Sequence, residues 1–290
     1  RFFKGYPIES MDISEITEDV ILTHIHTLLA DKEIPYRALQ GMWGYIQGVF
    51  LKSQRDKLIP RGENPCDYVD LELFKVECTE KPTKTAEERT LSMDERKTLL
   101  EKLHTQTANV NWIVNYAVEL SLYTGMRVGE LAGLKWSDID YERQTITIQR
   151  SEKFNAKTKQ YFISDTKNHK VRVFPLTDEI REVLDKIKKE ELRNGWIGEF
   201  VFNDAKGKVG RNKISRCATN KTTGEGFSTP KSVHAIRRTV NSNLKRNGVN
   251  TTIASALLGH TERVNEQNYT YDVIPTDEKC LLVTNATKIV

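Results

Sequence analysis

The sequence predicts a mainly α chain in two parts, a small helical domain followed by a mixed α/β domain in which helices surround a small antiparallel sheet. Three observations predict this. Apolar residues recur at three- and four-residue intervals over most of the chain, the spacing of a helix with one face in a core. That period gives way to alternation only in "QTITIQR" and "KVRVF" and the stretch between them, where successive side chains must point to opposite faces. Finally, "TEKPTKTAEER" from Thr79 to Arg89 has almost no apolar side chains, so it cannot belong to a core and reads as an extended linker.

In the first part, "ITEDVILTHIHTLLA" and "YRALQGMWGYIQGVFLKSQRDKLI" both carry helical spacing, the second with a broad stripe of Leu39, Met42, Trp43, Ile46, Val49, Phe50 and Leu51. After the linker a helix opens at "LSMDERKTLLEKL", where Ser92 and Glu95 have capping-box spacing and each side chain can satisfy the other's free backbone amide. Another runs through "NWIVNYAVELSLYTG" and stops near Gly125. Alternation then predicts one antiparallel sheet with a turn around Asn168 and His169. Helix resumes at Thr177 with Ile180, Val183, Leu184 and Ile187 on one face, and two more helices span about 232 to 247 and 250 to 258. Gly259 stops the last of them, since glycine tolerates a left-handed C-terminal cap.

At 290 residues the chain can hold about two domains, each with its own core. It contains neither a membrane-spanning apolar run nor a secretory leader. Cys66, Cys78, Cys217 and Cys280 lack paired metal-ligand spacing and read as reduced thiols of a cytoplasmic protein. A first residue of Arg1 rather than methionine reads as a fragment or processed form. The net charge of +4 is small; its distribution is more informative. "NDAKGKVGRNKISRCATNK" carries Lys206, Lys208, Arg211, Lys213, Arg216 and Lys221 against the single acid Asp204, either a solvated loop or a surface for a polyanion.

The chemistry-bearing residues fall late in the chain. In "TGMRVGELAGLKW", Arg127 and Glu130 are three apart on a short helix; alone, they read as a surface ion pair worth a few tenths of a kcal/mol. In "SVHAIRRTVNSNLKRNG", His234 and Arg237 share one flank a turn apart. His260 follows Gly259, and Tyr269 lies nine residues further on. Two arginines, Lys167 and two histidines, without a carboxylate cluster suited to magnesium, fit phosphoryl transfer that needs no metal. The protein's own cations would take the ion's part.

Four boxes, "TGMRVGEL", "DTKNHKVRVFPL", "HAIRRT" and "LLGHTERVNEQNY", occur in an order that resembles the tyrosine recombinases, the phage-type integrases, and most nearly those of conjugative transposons. The resemblance implies a division into a helical core-type DNA-binding domain over 1–78, truncated at its start, a linker over 79–91, a catalytic domain over 92–272 and a C-terminal tail over 273–290 exchanged between subunits or packed on its own domain. It also implies that Tyr269 attacks a DNA phosphodiester to leave a 3′-phosphotyrosyl link and a free 5′-hydroxyl. Arg127 and Arg237 would hold the non-bridging oxygens. Lys167 would protonate the leaving oxygen, with Lys170 as its competitor, His234 would serve as hydrogen-bond partner or proton acceptor to the phenol, and His260 would donate to the phosphate. Glu130 would brace the arginines.

The "TERVNEQN" stretch between His260 and Tyr269 is more charged than is usual in that family, and Tyr271 is an alternative nucleophile. The implied partners are double-stranded DNA, clamped between the two domains, further copies of the chain (a dimer on a site, a tetramer in synapsis) and accessory DNA-bending proteins. Lys206, Lys208, Arg211, Lys213 and Arg216 would contact DNA. No cofactor is required, because the phosphotyrosine stores the energy of the broken bond. A type IB topoisomerase, and a DNA-binding protein with a dead site, are the rival readings.

Overall fold

The computed structural model describes residues 2–60, 62–80, 85–106, 110–166 and 171–259. The chain divides into two compact units, Arg1–Thr83 and Lys84–Val290.

The first unit is built on α1 (Glu18–Asp31) and α2 (Tyr36–Arg55). Ile21, Ile25 and Leu28 of α1 share one core with Leu39, Met42, Trp43, Ile46 and Phe50 of α2. Two residues of the predicted stripe stay outside it: Val49 and Leu51 are 53% and 49% exposed. At roughly 100° per residue Val49 falls at the margin of the face that points inward and Leu51 well beyond it.

The second unit starts earlier than the sequence pattern suggests. A short helix, α3 (Ala86–Arg89), lies inside the stretch read as extended, with Thr85 and Glu88 forming a reciprocal capping box. Leu91 is buried, and its backbone N–H donates to Thr239 Oγ1 at 2.7 Å. The signal was the Thr-x-x-Glu spacing, overlooked because so short a helix carries no apolar stripe.

Next come α4 (Met93–His104), opened by the Ser92–Glu95 capping box as predicted, and α5 (Trp112–Thr124). Apolar residues occur all round α5, so it must be surrounded; it packs against α4 and, further along the chain, against α7 (Asp178–Asn194), α8 (Arg211–Lys221) and α9 (Val233–Arg246). Between α5 and α7 lie α6 (Val128–Gly133) and the strands β1 (Ile139–Asp140), β2 (Thr145–Ile148), β3 (Arg150–Asn155), β4 (Gln160–Asp165) and β5 (Arg172–Pro175).

These strands do not form the single sheet expected from alternation. β1, β2 and β5 make one antiparallel sheet, while β3 and β4 form a separate hairpin. Alternation reports a strand's faces but not its partner, which is chosen by contacts remote in sequence. The expected turn at Asn168 and His169 lies outside the described residues. In the sheet, Ile146 opposes Phe174 and Ile148 opposes Arg172, so an arginine faces the core beside three apolar side chains.

The basic stretch is not a loop. It begins as a tight pair, β6 (Asn203–Asp204) with β7 (Gly207–Lys208), and continues as α8. The chain then runs through α9 into α10 (Thr251–Leu258), whose C-cap Gly259 has φ of +68°. Leucine, isoleucine and valine from α5, α7 and the sheet meet Ile214, Val233 and Ile236 in one core.

Candidate active site

Helix α9 is placed by Val233 and Ile236, which are 3% and 0% exposed. Ser232 opens it by accepting from the Ala235 N–H at 3.3 Å. That rotation sends Arg237 inward, where it is fully buried. A buried guanidinium is costly unless every donor finds an acceptor. Arg237 Nη1 donates to Gly125 O at 2.7 Å and Nη2 donates to Leu258 O. One turn earlier, His234 reaches the surface end of the same flank.

Arg127 precedes α6 as its N-cap. Its backbone N–H donates to Glu130 Oε2 at 2.8 Å, its Nη1 to Glu130 Oε1 at 2.8 Å and its Nη2 to Gly259 O at 2.9 Å. The Glu130 side chain is only 1% exposed, so this is not the surface ion pair that the spacing alone predicts.

A third arginine explains why Glu130 tolerates burial. Arg172 Nη1 and Nη2 donate to Glu130 Oε1 and Oε2 at 3.0 and 2.6 Å, and Arg172 Nε donates to Leu257 O at 2.9 Å. Burial by itself raises the Glu130 pKa; the hydrogen bond and charge of Arg172, then the charges of Arg237 and Arg127, overcome this and hold it down at about 2. The carboxylate is therefore ionised throughout the neutral range.

Arg127, Glu130, His234 and Arg237 line one cavity of about 540 Å³, with Ser151 and Lys153 of β3 and Arg211 at the start of α8. His234 is open to solvent on one side. The protein packed around the rest of its ring, together with Arg238, Arg237 and Arg127, pushes its pKa down to about 4. At neutral pH its imidazole is uncharged and able to accept a proton.

Of the residues expected to contact DNA, only Arg211 borders this cavity. Lys208 pairs with Glu152 and Lys213 with Asp204, the latter at 2.6 Å. Both carboxylates are buried, so these two lysines neutralise the interior of their own domain. Lys206 is exposed, and Arg216 shares a separate surface concavity with Lys213 and Asn220. The expected uniform basic surface is thus divided among several tasks. Lys167, Lys170, His260, Tyr269 and Tyr271 lie outside the described residues.

Sequence reasoning missed Ser151, Lys153 and above all Arg172. In "KVRVF" the alternation invites Val171 and Val173 inward, yet they are 60% and 55% exposed while Arg172 and Phe174 are buried. The available signal was the phase of Phe174 and Leu176, which puts Arg172 on the inner face.

Two arginines and a neutral imidazole bordering one cavity, within a mainly helical domain carrying a small sheet, make an arrangement whose charge suits an anion. The chain belongs to the phage integrase family, whose profile matches residues 89–273. It is 31% identical over 177 residues to a "Tyrosine recombinase XerC-like" protein of Caldanaerobacter subterraneus subsp. tengcongensis, covering 54% of this chain and 44% of the relative. It is 28% identical over 164 residues to "Tyrosine recombinase XerC" of Pediococcus pentosaceus, covering 54% of this chain and 49% of the relative. The chain spans about half the length of the curated relatives it matches.

Among solved structures, the Tn1549 transposon integrase in complex with transposon right end DNA superimposes with a TM-score of 0.71 at 17% identity, covering 96% of this chain and 87% of that one. A λ integrase dimer bound to a COC′ core site gives a TM-score of 0.60 at 17% identity, covering 92% and 86%. At these identities the likeness establishes a shared fold. The family resemblance carried by the four sequence boxes holds.

Proposed function

We propose that the chain is a site-specific DNA recombinase of a mobile element, an integrase or transposase that cuts and rejoins strands through a 3′-phosphotyrosine. The observation that carries this reading is the convergence of Arg127, His234 and Arg237 on one cavity, with α10 ending at Gly259 against Arg127. The next residues in sequence are His260 and, nine further on, Tyr269.

In this reading the Tyr269 phenol oxygen bonds to phosphorus as the bond to the 5′ oxygen breaks. The phenol proton passes toward His234, which is neutral at pH 7, and Lys167 supplies a proton to the departing 5′ oxygen. Arg127 and Arg237 stabilise the charge that grows on the non-bridging oxygens, and His260 donates to one of them. Attack by another strand's 5′-hydroxyl reverses the step and restores the tyrosine. Glu130 braces Arg127 and reacts with nothing.

Double-stranded DNA is the partner, held chiefly through its phosphates. Residues 1–78 act as the core-type DNA-binding domain, 92–272 as the catalytic domain, and 273–290 as a tail that docks on a neighbouring copy. Copies act as a dimer on each site and a tetramer in synapsis, with accessory DNA-bending proteins and in the cytoplasm. Tn1549 integrase bound to transposon DNA, and a λ integrase tetramer bound to a Holliday junction, support DNA and self-association as partners. Among the described residues no helix is long and apolar enough to cross a membrane.

The test is a duplex bearing the joined ends of the element that encodes the chain, nicked beside the cleavage point so that the cut end diffuses away. A covalent protein–DNA adduct should accumulate, persist in EDTA and vanish in Tyr269→Phe. An adduct that survives Tyr269→Phe and disappears in Tyr271→Phe would move the nucleophile, and no adduct from the unaltered chain would reject the reading.

A further inference from the structure

Three successive carbonyls at the end of α10 each accept from a different arginine: Leu257 O from Arg172, Leu258 O from Arg237 and Gly259 O from Arg127. The last carbonyls of a helix lack intrahelical partners and carry the negative end of its dipole, so cations gather there readily. What is unusual is which cations these are. Two belong to the proposed phosphate clamp, and the third, Arg172, does not border the cavity at all.

Arg172 instead links the clamp to the helix. One edge of its guanidinium grips both oxygens of Glu130, while its Nε holds Leu257 O. Glu130 in turn takes three hydrogen bonds from Arg172 and Arg127 side chains and one from the Arg127 backbone. The close approach is built into the chain. A Cβ on Gly259 would lie 3.1 Å from Arg172 Nη1, and one on Gly125 would lie 2.8 Å from Leu258 Cδ2. The α10 end is therefore closely packed from two sides at positions whose left-handed backbone favours glycine and where an added Cβ would press on Arg172 or Leu258.

We infer that Arg172 is a positioning residue for strand cleavage: it holds the end of α10, from which the chain leads to His260 and Tyr269, in fixed relation to the Arg127–Glu130 pair. This rests on the function proposed above. Its electrostatic consequence follows from the same contacts. Three guanidiniums and one carboxylate leave two positive charges on the cluster, and without Arg172 the Glu130 carboxylate would be shared by Arg127 and Arg237 alone. The clamp would then lose both its geometry and half of its net charge.

The experiment compares the unaltered chain with Arg172→Lys and Arg172→Ala on the nicked duplex. Lysine keeps a positive charge facing Glu130 but, as a point donor, cannot reproduce the fork and the bond to Leu257 O together. Arg172→Lys should melt near the unaltered chain and bind the duplex within about threefold, while adduct formation at saturating DNA slows by about 100-fold, the scale of an ångström-sized misplacement. Hydrogen exchange of peptides covering 251–259 should quicken in both variants.

Adduct formation in Arg172→Lys within about threefold of the unaltered chain would overturn the inference. So would loss of adduct in strict proportion to loss of DNA affinity and melting temperature, which marks mere support of the fold. If the unaltered chain forms no adduct, the proposed function fails. Hydrogen exchange still decides the role of Arg172 in that event, because unchanged exchange at 251–259 refutes it.

Discussion

Arg172 and Glu130, 42 residues apart in sequence, meet as a two-point fork buried beneath the cavity, with Nη1 3.0 Å from Oε1 and Nη2 2.6 Å from Oε2. A carboxylate this deeply buried survives only because two arginines donate to it, and those arginines are held apart only because it lies between them. Removing the acceptor should therefore be severe. Glu130→Gln should destabilise the second unit by about 3–5 kcal/mol, the range for leaving buried charges without their partner, read as a lower urea midpoint at unchanged slope. A shift no larger than that of an exposed substitution such as Glu225→Gln would contradict the buried-hub description.

Acid unfolding should carry the signature of the same carboxylate. Its folded pKa of about 2 lies below the ordinary 4.5, so the unfolded chain binds the extra proton between them. The contribution of Glu130 is complete above about 4.5 and is lost as pH falls toward about 2. In Glu130→Gln the stability–pH curve should be flatter over that window. Parallel curves for the two proteins would refute the ionised state.

Gly259 and Gly248 provide a matched pair. Both have positive φ, +68° and +79°, but a Cβ at 248 meets nothing within 4 Å whereas one at 259 meets Arg172. Each alanine substitution should cost roughly 1–2 kcal/mol for the left-handed backbone. Only Gly259→Ala should also slow adduct formation on the nicked duplex, because only it presses on Arg172. Equal activity in the two variants would show that the contact is incidental.

His234 should change its protonation when an anion enters. Its folded pKa is pushed below the ordinary 6.5 to about 4 by burial and by Arg238, Arg237 and Arg127, so its neutral ring contributes stability above about 6.5 that is lost as pH falls through about 4. A phosphate beside the ring supplies the opposite charge and favours the imidazolium. The imidazole NMR titration midpoint should therefore rise when inorganic phosphate or duplex DNA is added. A midpoint that stays put would argue that no anion binds next to His234.

The basic residues should separate by salt dependence. Arg211 borders the cavity, whereas Lys213 neutralises buried Asp204. Arg211→Ala should reduce the slope of log affinity against log salt by about 0.9, as for one lost phosphate contact. Lys213→Ala should lower thermal stability and leave that slope alone. The reverse pattern would assign the DNA contact to the outer face of α8.

Much of this protein was legible in its sequence wherever the controlling signal is local. The Ser92–Glu95 box, the Gly125 and Gly259 stops and the inward face of α7 depend on spacings of a few residues, and each appears as read. The order of the four boxes likewise identified the family, because Arg127, His234 and Arg237 keep their chemical identity whatever surrounds them. Tertiary structure decided the rest. It paired β2 with β5 rather than β3, buried Arg172 in place of its neighbouring valines, turned the Arg127–Glu130 spacing into a buried hub, and tied Lys208 and Lys213 into ion pairs with buried carboxylates. The physical reason is that a charge's environment is set by groups remote in sequence: Gly259 O lies 132 residues beyond Arg127 and Leu257 O lies 85 beyond Arg172, and no local period encodes which of them will meet.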